Sequence, residues 1–88
     1  MEIYSKAVAG TLESSDAFVT VEPSETLSVE LESVVSRQYG EAIRAAVQSV
    51  VDALGVTSGR ICVNDRGALD CVIRARVETA LRRAGGEA

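Results

Sequence analysis

Leu27-Ser28-Val29-Glu30-Leu31-Glu32 is the stretch on which the reading of this chain turns. Leu27, Val29 and Leu31 fall on one side of an extended backbone, and Ser28, Glu30 and Glu32 on the other. That period of two marks a strand with one face on a core and one in water. Toward the amino terminus, Pro23-Ser24-Glu25 interrupts the pattern, and a second strand runs from Ala17 to Glu22. Ala17, Val19 and Val21 share one face; Phe18 and Thr20 share the other. Glu13-Ser14-Ser15-Asp16 is a turn by composition, because Ser and Asp side chains bond their own backbone and tolerate turn geometry. Lys6 to Leu12 reads as a further strand. Gly10 inside it signals a bulge or a close approach of another backbone. Three strands joined by short turns predict an antiparallel meander.

Toward the carboxyl terminus the period changes. Tyr39, Ile43, Ala46, Val47, Val50 and Leu54 recur at helical spacing, with Glu41, Arg44, Gln48 and Asp52 on the outer face. Ser36 is placed as the N-cap of this helix and Gly55 as its C-cap. Gly40 within it costs about 1 kcal/mol relative to Ala, and close packing on the sheet is expected there. Arg60 to Asn64 is a fourth strand, and Asn64-Asp65-Arg66-Gly67 is a turn. A second helix is predicted from Ala68 to about Arg83. Its apolar stripe is Leu69, Val72, Ile73, Val77, Ala80, Leu81 and Ala84, and Gly85-Gly86 ends it. The order βββαβα, with one polar sheet face and two amphipathic helices, predicts an α+β two-layer sandwich. Its sheet is mainly antiparallel and both helices lie on one face.

Composition narrows the function. The 88 residues are expected to form one small domain over residues 1–88, without room for a cleft between two lobes. A chain of this size buries roughly 60–65% of its unfolded surface. Aromatic residues are 3% of the chain, so the core is built from Val, Ala, Leu and Ile, and no platform for stacking bases exists. A net charge of −4 argues against nucleic acid. No apolar run approaches the roughly 20 residues that span a bilayer. Met1-Glu2-Ile3-Tyr4 does not read as a signal peptide, so a cytoplasmic location is expected. Cys62 and Cys71, without any histidine, are a poor zinc set and read as reduced, mostly buried thiols; no metal is expected. Charge is uneven: residues 1–34 carry seven acids and Lys6, whereas the remainder carries six acids and eight arginines.

The chemistry-bearing residues are few. Ser14 and Ser15 sit between two strands, at the tip of a hairpin. No histidine exists to activate a serine, and Lys6 is the only lysine, so a hydrolytic triad is excluded. An exposed hydroxyl without a base suits permanent covalent attachment better than turnover; read on their own, the two serines are simply turn residues. Glu13 and Asp16 flank them and read as solvated or capping acids. Asp65-Arg66-Gly67-Ala68 opens a helix, where anions are favoured, but one glycine is a weak phosphate signal and an N-cap is the better reading. Arg74, Arg76, Arg82 and Arg83 read as a solvated face near the favourable end of a helix dipole, with docking as the sharper alternative.

Three blocks carry a resemblance over nearly the whole chain: Ala7-Val8-Ala9-Gly10-Thr11-Leu12-Glu13-Ser14, then Arg37-Gln38-Tyr39-Gly40-Glu41-Ala42-Ile43-Arg44, then Gly67-Ala68-Leu69-Asp70-Cys71 with Ile73-Arg74-Ala75-Arg76. Together they resemble the citrate lyase acyl carrier protein family, the gamma subunit of that complex. The resemblance implies a non-catalytic subunit whose Ser14, the first serine after Thr-Leu-Glu, carries 2′-(5″-phosphoribosyl)-3′-dephospho-coenzyme A through a phosphodiester. The family often has Gly where this chain has Ser15. The resemblance further implies an acetyl group on the terminal thiol. A transferase (alpha) subunit exchanges it for citryl, and a lyase (beta) subunit cleaves the citryl thioester to oxaloacetate. A dedicated prosthetic-group transferase would modify Ser14 once. Fatty-acid type carriers are four-helix bundles with an Asp-Ser-Leu motif, which this chain lacks. Two alternatives stand beside this reading: the carrier subunit of a malonate decarboxylase-type complex, which uses the same group, and an adaptor domain that binds partners through its polarised surface.

Overall fold

The computed structural model describes residues 1–33 and 36–86, and for residues 36–39 the backbone only. The elements are β1 (Ala7–Gly10), β2 (Ala17–Glu22), β3 (Leu27–Ser33), α1 (Ser36–Leu54), β4 (Gly59–Asp65) and α2 (Asp70–Ala84). The order is the predicted βββαβα, and the architecture is the predicted α+β pairing of a four-stranded sheet with two helices.

The strand arrangement corrects the meander. Across the sheet the order is β1-β2-β4-β3. β2 pairs antiparallel with β1 and with β4, whereas β3 pairs parallel with β4. Thus β3 does not pair with β2; the last strand in sequence is inserted between them. Two physical facts explain this. A strand followed by a long helix and another strand is a crossover unit, which delivers its second strand parallel to its first. The short Pro23–Thr26 connection can also step over one strand. Five residue steps reach about 17 Å, against about 9.6 Å between next-but-one strands. β4 is accordingly flanked on both sides, and its alternate residues Gly59, Ile61, Val63 and Asp65 are all buried.

The period of β2 lands as read; on β3, Leu27, Val29 and Leu31 are half-buried against the core and Glu30 and Glu32 are exposed, but Ser28, read as facing water, is half-buried too. Ala17, Val19 and Val21 are buried while Phe18, Thr20 and Glu22 are half-buried on the opposite face. In register, Ala9 faces Val19, Val19 faces Val63, and Val29 faces Ile61, so one small-residue surface runs across the strands. Ile43, Ala46, Val47, Val50 and Val51 of α1 and Ile73, Val77, Ala80, Leu81 and Ala84 of α2 close over it. Among the described residues the core holds no aromatic ring, and Val and Ala dominate it.

Helix ends follow local rules, with two corrections. Gly55 has φ 67, its N–H donates to Asp52 O, and the Val56 N–H donates to Val51 O. Those two bonds are the Schellman pattern, and buried Val51 and Val56 supply its apolar contact. The capping role assigned to Ser36 and the contact assigned to Tyr39 lie outside the described residues. Gly40 does not pack closely: a Cβ there would meet nothing within 4 Å. The start of α2 also differs from expectation. It begins at Asp70, and Leu69, placed on the apolar stripe, is 71% exposed at the N-cap without a side-chain capping bond. The helix starts two residues later than its periodicity predicts, because residues 66–69 form a loop held by Asp65.

Candidate functional site

The hairpin tip was singled out by its two serines, and the structure shows what supports it. The Asp16 N–H donates to Glu13 O, so residues 13–16 close a four-residue turn. Ser15, at its third position, has φ 66, the left-handed value that type II turns require. Ser14 and Ser15 are both exposed. They are not equivalent. Neither serine hydroxyl has a hydrogen-bond partner among the described residues; the difference lies in the backbone, where the Ser15 N–H donates to Arg66 O at 2.9 Å and Ser15 holds the left-handed φ.

Asp16 organises the ground under the tip. Its Oδ2 accepts the Thr11 hydroxyl at 2.7 Å and its Oδ1 accepts the Ala17 N–H at 2.8 Å. The Arg76 guanidinium on α2 binds both oxygens, Nε at 3.0 Å to Oδ1 and a terminal nitrogen at 3.2 Å to Oδ2. Such two-point Arg–carboxylate pairs fix geometry as well as charge. The Asp16 side chain is only 15% exposed. Arg76 chiefly, then Thr11 and the Ala17 amide, hold its carboxyl well below the usual carboxylate range. Thr11 Oγ1 also accepts the Glu13 N–H at 3.2 Å, linking both sides of the loop.

Gly10 enters the same arrangement. It has φ 87, and a Cβ built on it would lie 1.8 Å from the Ala17 carbonyl oxygen. Of the two explanations offered for this glycine, the close backbone approach is therefore the one realised.

The third support is the loop after β4. The Arg66 N–H donates to Asp16 O at 2.9 Å, returning the bond from Ser15 and extending the β2–β4 pairing past Ala17–Asp65. Asp65 holds this loop. It is 1% exposed, and its carboxylate accepts the Ser33 hydroxyl at 2.8 Å, the Gly67 N–H at 3.1 Å and the Ala68 N–H at 2.8 Å. Those two amides, the ones a phosphate would use, are already bonded to a carboxylate. The loop is thus no phosphate cradle, and Asp65 caps the loop while Leu69 occupies the helix N-cap.

The remaining sequence candidates resolve by contact. Glu13 stands exposed at the tip and Asp16 is committed to Arg76, so they do not work as a pair. The arginines of α2 do not form a free cationic patch: Arg74 pairs with Asp70, Arg76 with Asp16 and Arg82 with Glu78, and Arg83 donates to Val8 O. Both cysteines are free, but only Cys62 is half-buried; Cys71 is exposed, against expectation. Burial pushes the Cys62 thiol up, helped by its hydrogen bond to Glu30 at 3.1 Å. It is therefore a poor nucleophile. Among the described residues no group of three His, Cys, Asp or Glu is placed to hold a metal, and no helix is long and apolar enough to cross a membrane.

Three supports for the tip escaped sequence reasoning. Arg76 lies 60 positions from Asp16, and nothing local announces the pair. The bonds to Arg66 depend on β4 lying beside β2. Asp65 did carry a signal: an Asp two residues before Gly commonly caps a following loop.

Comparison with known proteins places this geometry. Residues 4–84 match the family model described as malonate decarboxylase delta subunit (MdcD). A citrate lyase acyl carrier protein of Haemophilus influenzae (strain PittEE) is 52% identical over 87 residues, covering 99% of this chain and 92% of that one. One from Treponema denticola is 49% identical over 84 residues, covering 96% and 97%. In fold, the chain is similar to one in the crystal structure of a Pseudomonas malonate decarboxylase hetero-tetramer in complex with malonate. That match has a TM-score of 0.81 at 24% identity, covering 92% of this chain and 84% of that one. Near-complete coverage at about half identity decides the relationship: this chain belongs to the citrate lyase acyl carrier protein family.

Proposed function

We propose that this chain is the acyl carrier subunit of a citrate lyase complex and that the Ser14 oxygen is the attachment point of 2′-(5″-phosphoribosyl)-3′-dephospho-coenzyme A. The observation that carries the reading is the contrast within one turn. Among the described residues the Ser14 hydroxyl is exposed and unpartnered and its backbone is not tied outside the turn, while the Ser15 backbone bonds to the β4–α2 loop and Asp16 to Arg76 of α2. A modifying transferase needs access to the oxygen, and a carrier needs a base that presents the arm in one pose. The donor set fits a covalent group: a free hydroxyl on the surface requires neither a cleft nor a general base within the chain. When attached, the group supplies a thiol for acetyl and citryl thioesters. The chain's own residues orient and expose it. Tethering then gives the thioester a high effective concentration at the alpha (acyl transferase) and beta (citryl lyase) subunits in turn. In this role the chain is not itself catalytic.

The test is intact mass after co-expression with the prosthetic-group transferase. An adduct of the group's mass is expected on the native chain and absent from Ser14→Ala. A bare native chain, or an adduct that survives Ser14→Ala, overturns the assignment.

A malonate decarboxylase-type complex is the second reading, favoured by the description of the matching family model and by the fold relative. The loaded carrier separates the two. Acceptance of citryl by a citrate lyase alpha subunit supports the first, and acceptance of malonyl alone supports the second.

A further inference from the structure

We propose that the Arg66 guanidinium is the counter-charge of the phosphodiester on Ser14. This rests on the attachment reading above. It is carried by an accounting of the described arginines. Arg44 donates to Val29 O, Arg60 to Glu22 and Glu30, and Arg74 to Asp70 and Ser49. Arg76 binds Asp16, Arg82 pairs with Glu78, and Arg83 donates to Val8 O. The guanidinium of Arg66 alone among them has no partner in the described residues, and it is exposed.

Its backbone, in contrast, is firmly placed. The Arg66 N–H donates to Asp16 O and its carbonyl accepts the Ser15 N–H, both at 2.9 Å. These bonds set the Arg66 backbone directly across from Ser15 and Asp16, in the turn that carries Ser14. Asp65 holds the preceding position through its three accepted hydrogen bonds. The backbone of a residue with an unpaired guanidinium is thus held beside the turn that carries Ser14, the serine there whose backbone is not bonded to this loop.

Charge at the tip makes the role specific. Asp16 is neutralised by Arg76, but Glu13, next to Ser14, is exposed and has no ion-pair partner among the described residues. A phosphodiester on Ser14 adds a second negative charge beside Glu13. Arg66 can answer it without giving up an existing contact, and a guanidinium fork suits two phosphate oxygens better than a point charge. Lys6 is the other described cation without a partner, and it precedes β1 at the opposite end of that strand from the tip.

The experiment compares apo and loaded protein by nitrogen-15 NMR of the arginine side chains and phosphorus-31 NMR of the linkage. On loading, the Arg66 Nε–Hε signal is expected to move while those of Arg60 and Arg74 stay, and the movement is expected to shrink in about 1 M salt. In loaded Arg66→Gln the phosphodiester signal is expected to shift from its position in the native chain; in Lys6→Gln it is expected to stay. Arg66→Gln keeps both main-chain bonds, so the hairpin amide signals report whether the variant remains folded. An Arg66 signal that coincides in apo and loaded protein, or a phosphodiester signal unaffected by Arg66→Gln, overturns the proposal. A native chain that takes no group on Ser14 overturns the attachment reading itself, and this one with it.

Discussion

Arg76 and Arg60 perform the same chemistry in two places and achieve different things. Arg60 sits on the helix-free face of the sheet, bridging Glu22 at 2.8 Å and Glu30 at 2.6 Å from the two neighbouring strands. The ladder already aligns those strands, with Glu22 opposite Arg60 and Ser28 beside it, so the ion pairs decorate a geometry set by backbone bonds. Arg60 is 47% exposed, where water and salt weaken such pairs. Arg76 instead joins a helix to a six-residue loop that has no ladder of its own, through a carboxylate that is mostly covered. What an ion pair does depends on whether anything else fixes the groups it joins. Under the hairpin tip, two main-chain bonds to Arg66 and the short-range bonds of Thr11 and the turn share that task, and Arg76 is the link to α2.

The sharpest way to break the tip while leaving the outer face alone is at Gly10. Gly10→Ala forces a side chain to φ 87 and against the Ala17 carbonyl, and we expect about 3 kcal/mol or more of lost stability by urea unfolding. Gly55→Ala makes the control. It shares the left-handed backbone, with φ 67, but its Cβ finds its nearest neighbour at 3.7 Å, so about 1–2 kcal/mol is expected. Equal losses would mean that the close approach at Gly10 is unimportant.

Asp65→Ala comes next. It removes a buried carboxylate that satisfies two loop amides and the Ser33 hydroxyl, and about 2 kcal/mol is expected by the same measurement. The direct test of the comparison is a pair of truncations. Arg76→Met is expected to speed hydrogen exchange at the Ser15 and Ala17 amides, whereas Arg60→Met is expected to leave them unchanged. The reverse pattern would reverse the comparison.

Acid tests the same contact. Because the folded pKa of Asp16 is depressed, its contribution is fully present above the ordinary carboxylate pKa of about 3.9 and is lost only as pH falls further toward the folded value. Carbon-13 titration should find the Asp16 carboxyl still ionised below that point; in Arg76→Met its midpoint should rise toward the ordinary range. The smallest effect is a gain. Ser15→Gly relieves roughly 1–2 kcal/mol of left-handed strain and forfeits about 0.5–1 kcal/mol of chain entropy. A net stabilisation of about 0.5–1 kcal/mol is expected, with loading at Ser14 unaffected.

How much of this was legible depended on range. Elements whose signal is periodic were read nearly to the residue: Ala17–Glu22 was placed as observed, and the end of α1 at Leu54 was marked by Gly55. Where a local device replaced periodicity, reading slipped. The Asp65 loop delayed α2 to Asp70 and left Leu69 exposed, though apolar spacing had assigned it to the core. The tip itself was legible, because Glu-Ser-Ser-Asp is turn chemistry wherever it occurs. Its base was not. The partners of Asp16 and Ser15 lie on α2 and after β4, and sequence spacing says nothing of which strand those elements will approach.

The sequence by itself determined the element order, most of the buried positions, a core built chiefly of small aliphatic residues and the absence of any imidazole that could make a serine nucleophilic. These follow from periodicity and residue type, which act over a few positions. Only the tertiary structure decided that β4 inserts between β2 and β3, that Arg76 reaches Asp16, and that the Ser15 backbone is pinned to the loop after β4. Those outcomes depend on which distant segments pair, and pairing is chosen by the burial of whole faces against each other rather than by any short stretch of chain.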